Sequence, residues 1–401
     1  MKRIKKILQY AYTHDLYPDL HFVEGPPEPE VIVDGRKVLM FTSNNYLGLA
    51  THPKIVRSAI EATKKWGVGS DGSRLLSGNL KIHREFEEAI AAFKKGEDAI
   101  AWPTGYSANV GAVSAIAQLL KVGPADFFSL GTVILSDELN HASIIDGAKL
   151  SKQKKVVFRH RDMNDLESKL RWYRFRRKLV VTDSVFSMDG DIAPLDKIVE
   201  LCKHYDALLM IDEAHATGVL GKTGHGSLEH FNLKPTEDVD IVLGTCSKAL
   251  AASGGFVVGS HDLITYLRVA SRSYMFSTAM TPASSAALIT ALQVIETEPE
   301  HREALWRNAN HLRSSLNENG FNTSDSETQI IPVLIGEDAK AIAFSRKLFD
   351  KGIFAPAVRW PAVSRGLARL RLTVMATHQK NQLDYLVKCL CEIGRELGVV
   401  K

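Results

Sequence analysis

Short apolar runs rich in β-branched residues recur along the chain, separated by stretches in which apolar positions return every three or four residues. DAIAWP, VILSD, KVVFRH, KLVVTDS, ALLMIDE and DIVLGT are runs of strand length. HPKIVRSAIEATKKWG (52–67) has helical periodicity with Gly67 as a stop, and HREFEEAIAAFKKGE (83–97) repeats the form. DLESKLRWYRF (165–175) and LDKIVELCKHY (195–205) continue the alternation. Strands covered on both faces read as near-continuous apolar runs, so the pattern predicts an α/β fold around a largely parallel sheet. VIVDGRKVLMF (31–41) predicts a hairpin turning at Asp34-Gly35. Past about residue 295 the pattern changes. ETEPEHREALWRNANHLRSSLNENG (296–320) reads as one long helix, followed by IIPVLIG (330–336), a helix AIAFSRKLFDKG (341–352), ARLRLTV (368–374) and a last helix from Asn381. The division expected is an N-terminal arm over 1–50, a large domain over 51–295 and a smaller α+β domain over 296–401.

Composition narrows the class. The 401 residues are 45% hydrophobic and 24% charged, enough to bury a large core. A net charge of +4 with no concentrated basic face argues against a nucleic-acid binder. Cys202, Cys246, Cys389 and Cys391 match neither a zinc-ligand spacing nor a redox pair, so they read as free thiols of a cytoplasmic protein, and no metal site is expected. The basic start MKRIKKILQYAY breaks into THDLYPDLHF without the long apolar run of a signal peptide. It reads as a solvated helix end, with a peripheral membrane contact as the alternative, and no segment is long enough to span a bilayer.

Candidate chemistry gathers where strands end. In sheets of this kind ligands bind beyond the carboxyl ends of the strands, and Asp183, Asp212 and Thr245 each lie at or just past such an end. GTCSKALAASGGFVVG (244–259) sets Lys248 among small residues, an odd setting for a lysine that merely faces water. IDEAHATG (211–218) places Asp212 and His215 three residues apart, and SDELNHAS (136–143) puts His141 after another strand. TGYSAN (104–109) is a glycine-aromatic turn leading into a helix, whose free N–H groups suit a phosphate. Each feature alone is weak. Together an amine, a carboxylate, an imidazole and an anion cradle are the set that pyridoxal 5′-phosphate (PLP) requires.

These stretches, with FTSNNYLGL (41–49), GSDGSRLLSGN (69–79), HASIIDG (141–147), DSVFSMDGDIAPL (183–195), DEAHATGVLG (212–221), GTCSKAL (244–250) and ARLRLT (368–373), resemble the α-oxoamine synthase family of fold-type-I PLP enzymes over nearly the whole chain. The resemblance implies a large domain with a mostly parallel seven-stranded sheet, a smaller C-terminal domain, and a homodimer with shared active sites. It implies that Lys248 carries PLP as a Schiff base and moves protons, that Asp212 pairs with the pyridinium nitrogen, that His215 approaches the phenolic oxygen and that His141 stacks over the ring. Ser187 would lie beside the cofactor. Thr245, Gly105 and Tyr106 would contact its phosphate, as would Ser277 and Thr278 from the neighbouring subunit. Asn44 falls in the N-terminal active-site motif, and Arg359 in VRWPAV matches the arginine that grips the amino-acid carboxylate. Arg369 and Arg371 are the fallback.

The reaction implied is a decarboxylating condensation of an amino acid with an acyl-CoA, or an acyl carrier protein thioester, giving an α-amino ketone. Ser247 and the GGF ending lean toward bacterial serine palmitoyltransferases, whereas ARLRLT and DEAHATGVLG read like 8-amino-7-oxononanoate synthase or ketobutyrate ligase. Serine with a long acyl chain and alanine with a pimeloyl-type thioester are therefore rivals, with glycine and a short acyl-CoA third. An aminotransferase shares the fold, and an inactive partner subunit would be expected to lack Lys248. The two phenylalanines of GPADFFSLGTV (123–133) read as core or dimer contacts, with an acyl channel as the alternative.

Overall fold

The computed structural model describes residues 1–13, 20–119 and 131–401. Phe127 and Phe128 of the GPADFFSLGTV stretch lie outside the described residues.

The central sheet has seven strands: β4 (Asp98–Trp102), β5 (Thr132–Asp137), β6 (Lys154–Phe158), β7 (Arg177–Asp183), β8 (Leu208–Asp212), β9 (Ile241–Thr245) and β10 (Gly255–Gly259), in the order β4-β10-β9-β8-β7-β5-β6. β9, β8, β7, β5 and β6 pair in parallel, and β10 runs antiparallel to both neighbours. The expected mostly parallel sheet is thus observed. β10 is the strand that the apolar pattern did not single out. GFVVG follows the lysine loop so closely that its five residues read as part of that loop.

Alternate residues of each strand feed opposite layers, as the period of two requires. Leu179, Val181 and Met210 face a cluster with Ala108, Ala112 and Val113 of the helix Gly105–Gln118. Val180, Leu209 and Ile211 face the other layer, with Leu166 and Ile198. Both faces are covered, and the polar ends of the strands are left for chemistry.

Two smaller sheets flank this one. β1 (Val23–Glu24), β2 (Glu30–Val33) and β3 (Arg36–Met40) form an antiparallel ribbon that β12 (Ile353–Phe354) extends in parallel. The hairpin turns at Asp34 and Gly35, with φ of 49° and 73°, the left-handed pair that an Asp-Gly turn supplies. β11 (Ile330–Gly336), β13 (Ala357–Val358) and β14 (Ala368–Thr373) form the third sheet, in the order β11-β14-β13.

The helices at Pro53–Trp66, Lys81–Lys94, Met163–Trp172, Leu195–His204, Asp338–Asp350 and Lys380–Glu396 match their sequence patterns to within a few residues. The long helix expected over 296–320 forms as one helix that starts four residues later. A helix Pro282–Thr297 ends, Glu298 and Pro299 intervene, and a second runs Glu300–Glu318. Pro299 has no N–H to continue the first helix, but it is tolerated at the start of the second. The basic N-terminal segment forms the helix Lys2–Thr13, which buries none of its residues. Among the described residues no helix is long and apolar enough to cross a membrane.

Candidate active site

A cavity of about 260 Å³ opens at the carboxyl ends of the parallel strands. Gly105, Tyr106, His141, Ser187, Asp212, His215, Thr245 and Lys248 all line it, joined by Asn109, Ser143 and Asp183. A larger cleft of about 560 Å³ lies at the opposite edge, lined by the strand-start residues Thr132, Lys178 and Leu208. Ligands of such sheets sit beyond the carboxyl ends, which favours the smaller cavity.

Lys248 follows β9 on the loop of small residues. Its Nζ lies 2.6 Å from His215 Nε2. Burial brings its amine down to about 8, against the opposing pull of the Asp212 and Asp183 carboxylates. His215 Nδ1 lies 2.7 Å from the Tyr46 hydroxyl, which donates to Asn44 Oδ1 at 2.9 Å. Burial, then the nearby Lys248 charge, holds His215 well below the usual imidazole range, so the ring is neutral. A neutral ring that accepts the lysine proton at Nε2 carries its hydrogen on Nδ1 and donates it to Tyr46.

Asp212 ends β8 with its carboxylate buried. Oδ2 accepts from Asn109 Nδ2 at 2.6 Å and Oδ1 from the Ala214 N–H at 2.8 Å. Asn109 Nδ2 also reaches Ser143 Oγ at 3.0 Å, while Asn109 Oδ1 is buried without a partner. Asp183 sits directly across from Asp212 in the β7–β8 register. Burial, then the neighbouring Asp212 charge, pushes its carboxyl well up, and its Oδ2 accepts the His141 N–H at 2.8 Å. His141 caps the helix Ala142–Leu150, with Nδ1 2.7 Å from Ser143 Oγ. Burial depresses its imidazole, Asp212 opposes the shift, and Lys248 adds to it.

The opposite wall is a helix start. Thr104 caps the helix Gly105–Gln118 by accepting the Ser107 N–H at 3.1 Å. The N–H groups of Gly105 and Tyr106 precede the first helical hydrogen bond, which Ala108 makes to Thr104 O, so they remain available to an anion. A Cβ on Gly105 would stand 2.6 Å from Thr245 Cβ, and one on Gly255 would stand 2.6 Å from Gly105 Cα. Two glycines therefore let the helix start press onto the sheet end. The Tyr106 hydroxyl is turned to Asp146 at 2.5 Å.

This donor set fits PLP. The amine titrates within reach of neutral pH, the buried carboxylate can face a protonated ring nitrogen, an imidazole borders the space, and the helix start with the Thr245 hydroxyl suits a phosphate.

Four of the expected residues do not line the cavity. Asn44 stands behind it, joined through Tyr46 and 3.4 Å from an Arg371 guanidinium nitrogen. Ser277 and Thr278 lie on an exposed segment, Thr278 bridging to Ser73. Arg359 is half-buried just past β13, before the cis Trp360–Pro361 bond. The fallback arginines differ from one another. Arg369 is engaged by Asp189 at 2.5 Å and by Met188 O at 3.2 Å. Buried Arg371 donates to Ser187 O and Asn44 Oδ1, lies within reach of the Tyr46 hydroxyl, and forms no ion pair among the described residues.

Asn109, Ser143 and Tyr46 carried no assigned role in the sequence. Asn109 had a usable signal: it is the amide one turn after Gly105, in a helix that is otherwise small and apolar on its buried face.

Residues 36–390 match the class I and II aminotransferase family. An 8-amino-7-oxononanoate synthase of Lysinibacillus sphaericus is 47% identical over 399 residues, covering 99% of each chain. A serine palmitoyltransferase structure from S. paucimobilis with bound PLP and myriocin superposes with a TM-score of 0.90 at 32% identity, over 98% of this chain and 96% of that one. An 8-amino-7-oxononanoate synthase structure from Francisella tularensis reaches a TM-score of 0.75 at 26% identity, over 90% and 98%.

Proposed function

The chain belongs to the class I and II aminotransferase family, in its α-oxoamine synthase branch, and from that membership we propose which residues perform the reaction and on which substrates. It is a PLP-dependent acyltransferase that joins an amino acid to an acyl thioester with loss of carbon dioxide and the thiol.

PLP, when bound, supplies an electron sink for the pair released at the amino-acid α-carbon. The observation that carries the assignment is the Lys248 amine, brought down to about 8 and held 2.6 Å from neutral His215, in a cavity that also exposes Asp212. Lys248 holds the cofactor and takes the α-proton. The His215–Tyr46–Asn44 chain aims its Nζ and steadies the proton it carries. Asp212, fixed by Asn109 and the Ala214 N–H, would hold the ring nitrogen. The Gly105 helix start and Thr245 receive the phosphate. His141, which lines the same cavity, would stack on the ring and assist at the thioester carbonyl.

Arg371 receives the amino-acid carboxylate. It is a buried cation that forms no ion pair among the described residues and donates to the carbonyl of cavity-lining Ser187, so an incoming carboxylate gives it a charge partner. Arg359, half-buried just past β13, is the alternative. Ser277 and Thr278 act from a second copy of the chain. Exposed Val68, Leu76 and Phe276 support that face as the dimer contact, since apolar exposure of this kind usually marks an interface.

The substrate pair is alanine and a pimeloyl-type thioester. The product in the relatives' name has nine carbons, seven from a dicarboxylic acyl group and two from alanine after decarboxylation. At 47%, identity to that synthase exceeds the 32% to the palmitoyltransferase.

The test is thiol release over a grid of alanine, serine and glycine against pimeloyl-, palmitoyl- and acetyl-CoA. Alanine with pimeloyl-CoA should give the highest kcat/KM. Serine with palmitoyl-CoA as the best pair overturns the substrate choice, and transamination without thiol release overturns the synthase reading. Arg371→Ala should raise the amino-acid KM at least about tenfold with little change for the thioester. The same effect in Arg359→Ala alone would move the carboxylate site there.

A further inference from the structure

His52, Glu298 and His301, none of which lines the cavity, meet at a junction of three helices. His52 caps the start of the helix Pro53–Trp66. Glu298 closes the helix Pro282–Thr297, and His301 stands in the first turn of the helix Glu300–Glu318. The break at Pro299, which separates the two helices, sets Glu298 and His301 side by side facing His52.

Glu298 Oε2 lies 3.2 Å from His52 Nε2 and 3.5 Å from His301 Nε2. Ligands about 2.1 Å from a tetrahedral zinc ion stand about 3.4 Å from one another, so two edges of the tetrahedron are already at the required length. All three donor atoms lie within 4.8 Å of one another, and a rotation of His301, the most exposed of the three, closes the third edge. The side chains are 13%, 19% and 23% exposed, which keeps them ordered while leaving a fourth position open to water. Glu298 Oε1 is separately held by Lys54 Nζ at 2.7 Å, which orients the carboxylate and leaves Oε2 to the two rings.

We propose that His52, Glu298 and His301 form a binding site for a borderline divalent transition ion, zinc foremost, that ties the start of one helix to the junction of two others. Two imidazoles and one carboxylate select zinc, copper or nickel over magnesium or calcium, which prefer oxygen alone. The Lys54 charge beside the carboxylate opposes the ion and weakens its binding. The four cysteines are buried and do not compete as ligands.

The experiment is a titration of chelator-treated, PLP-loaded protein with zinc chloride, read by calorimetry and by metal content after dialysis. The wild-type chain should bind one zinc per subunit and melt at a higher temperature with zinc present. His301→Ala and Glu298→Gln should each bind at least tenfold more weakly and lose the zinc-dependent rise in melting temperature. Equal binding by the wild-type chain and both variants, or no binding by the wild-type chain, overturns the site and leaves the cluster as an ion-paired helix junction. Magnesium chloride in place of zinc should give no heat above dilution, and magnesium binding as tight as zinc would overturn the ion class.

Discussion

His215 and His160 are both largely buried imidazoles near the carboxyl edge of the same sheet, yet one is neutral and the other charged. His215 faces the Lys248 amine and the Tyr46 hydroxyl, and burial holds it well below the usual range. His160 is clamped between two carboxylates, with Nδ1 3.0 Å from Asp137 and Nε2 2.8 Å from Asp191. Its burial is also unfavourable to charge, but the two aspartates outweigh it and raise the ring to about 9. The His160 ring stands edge-on to Phe186 at 4.3 Å, beside Ser187 of the cavity wall. Two carboxylate partners hold His160 charged against its burial, whereas burial, with a cationic neighbour, leaves His215 neutral. Neutral His215 lines the cavity beside Lys248, whereas cationic His160 fastens the loop that forms one wall of it.

The contrast can be broken in order of expected effect. Lys248→Ala should remove the borohydride-reducible cofactor linkage and lower turnover by on the order of 10³-fold or more. A mutant that retains the linkage would sink the lysine assignment. His215→Asn should lower kcat by about 10²-fold while the cofactor stays attached and the melting temperature barely moves. A large loss of stability with normal turnover would reverse the roles of the two histidines.

The smallest effect is expected at His160. Its folded value of about 9 lies above the unfolded value of about 6.5, so its contribution is fully present below pH 6.5 and is lost as pH rises through about 9. The ring is 19% exposed, and after solvent screening the contribution is at most roughly 2 kcal/mol. Urea midpoints should therefore fall between pH 6.5 and 9.5 in the wild-type chain. In His160→Gln they should start lower and stay flat across that window, and an unchanged slope would rule out the clamp.

Much of the fold was legible because parallel strands buried on both faces leave unbroken apolar runs. The runs ending in Asp183, Asp212 and Thr245 placed the strand ends, and thus the face that bears the site. Strand β10 was not legible, since five small and apolar residues after the lysine loop have no helix before them to mark a new strand. The break at Pro299 was open to a local reading of the proline, but the charged periodicity on either side suggested an earlier helix start. Most of the candidate cavity residues were visible as types at strand ends. Asn109 and Tyr46 were not, because each acts on a residue more than 100 positions away.

The amino-acid order alone determined the layered architecture, the lysine with its small neighbours, and the carboxylate, imidazole and anion-binding groups set at strand and helix ends. These are local properties, fixed by period, propensity and capping. Only the tertiary structure decided which arginine is left without an ion pair among the described residues, which histidine is neutral and which charged, and that two histidines and a glutamate converge at a helix junction. Each of those depends on desolvation and on charges brought together from distant parts of the chain, and no local pattern encodes such distances.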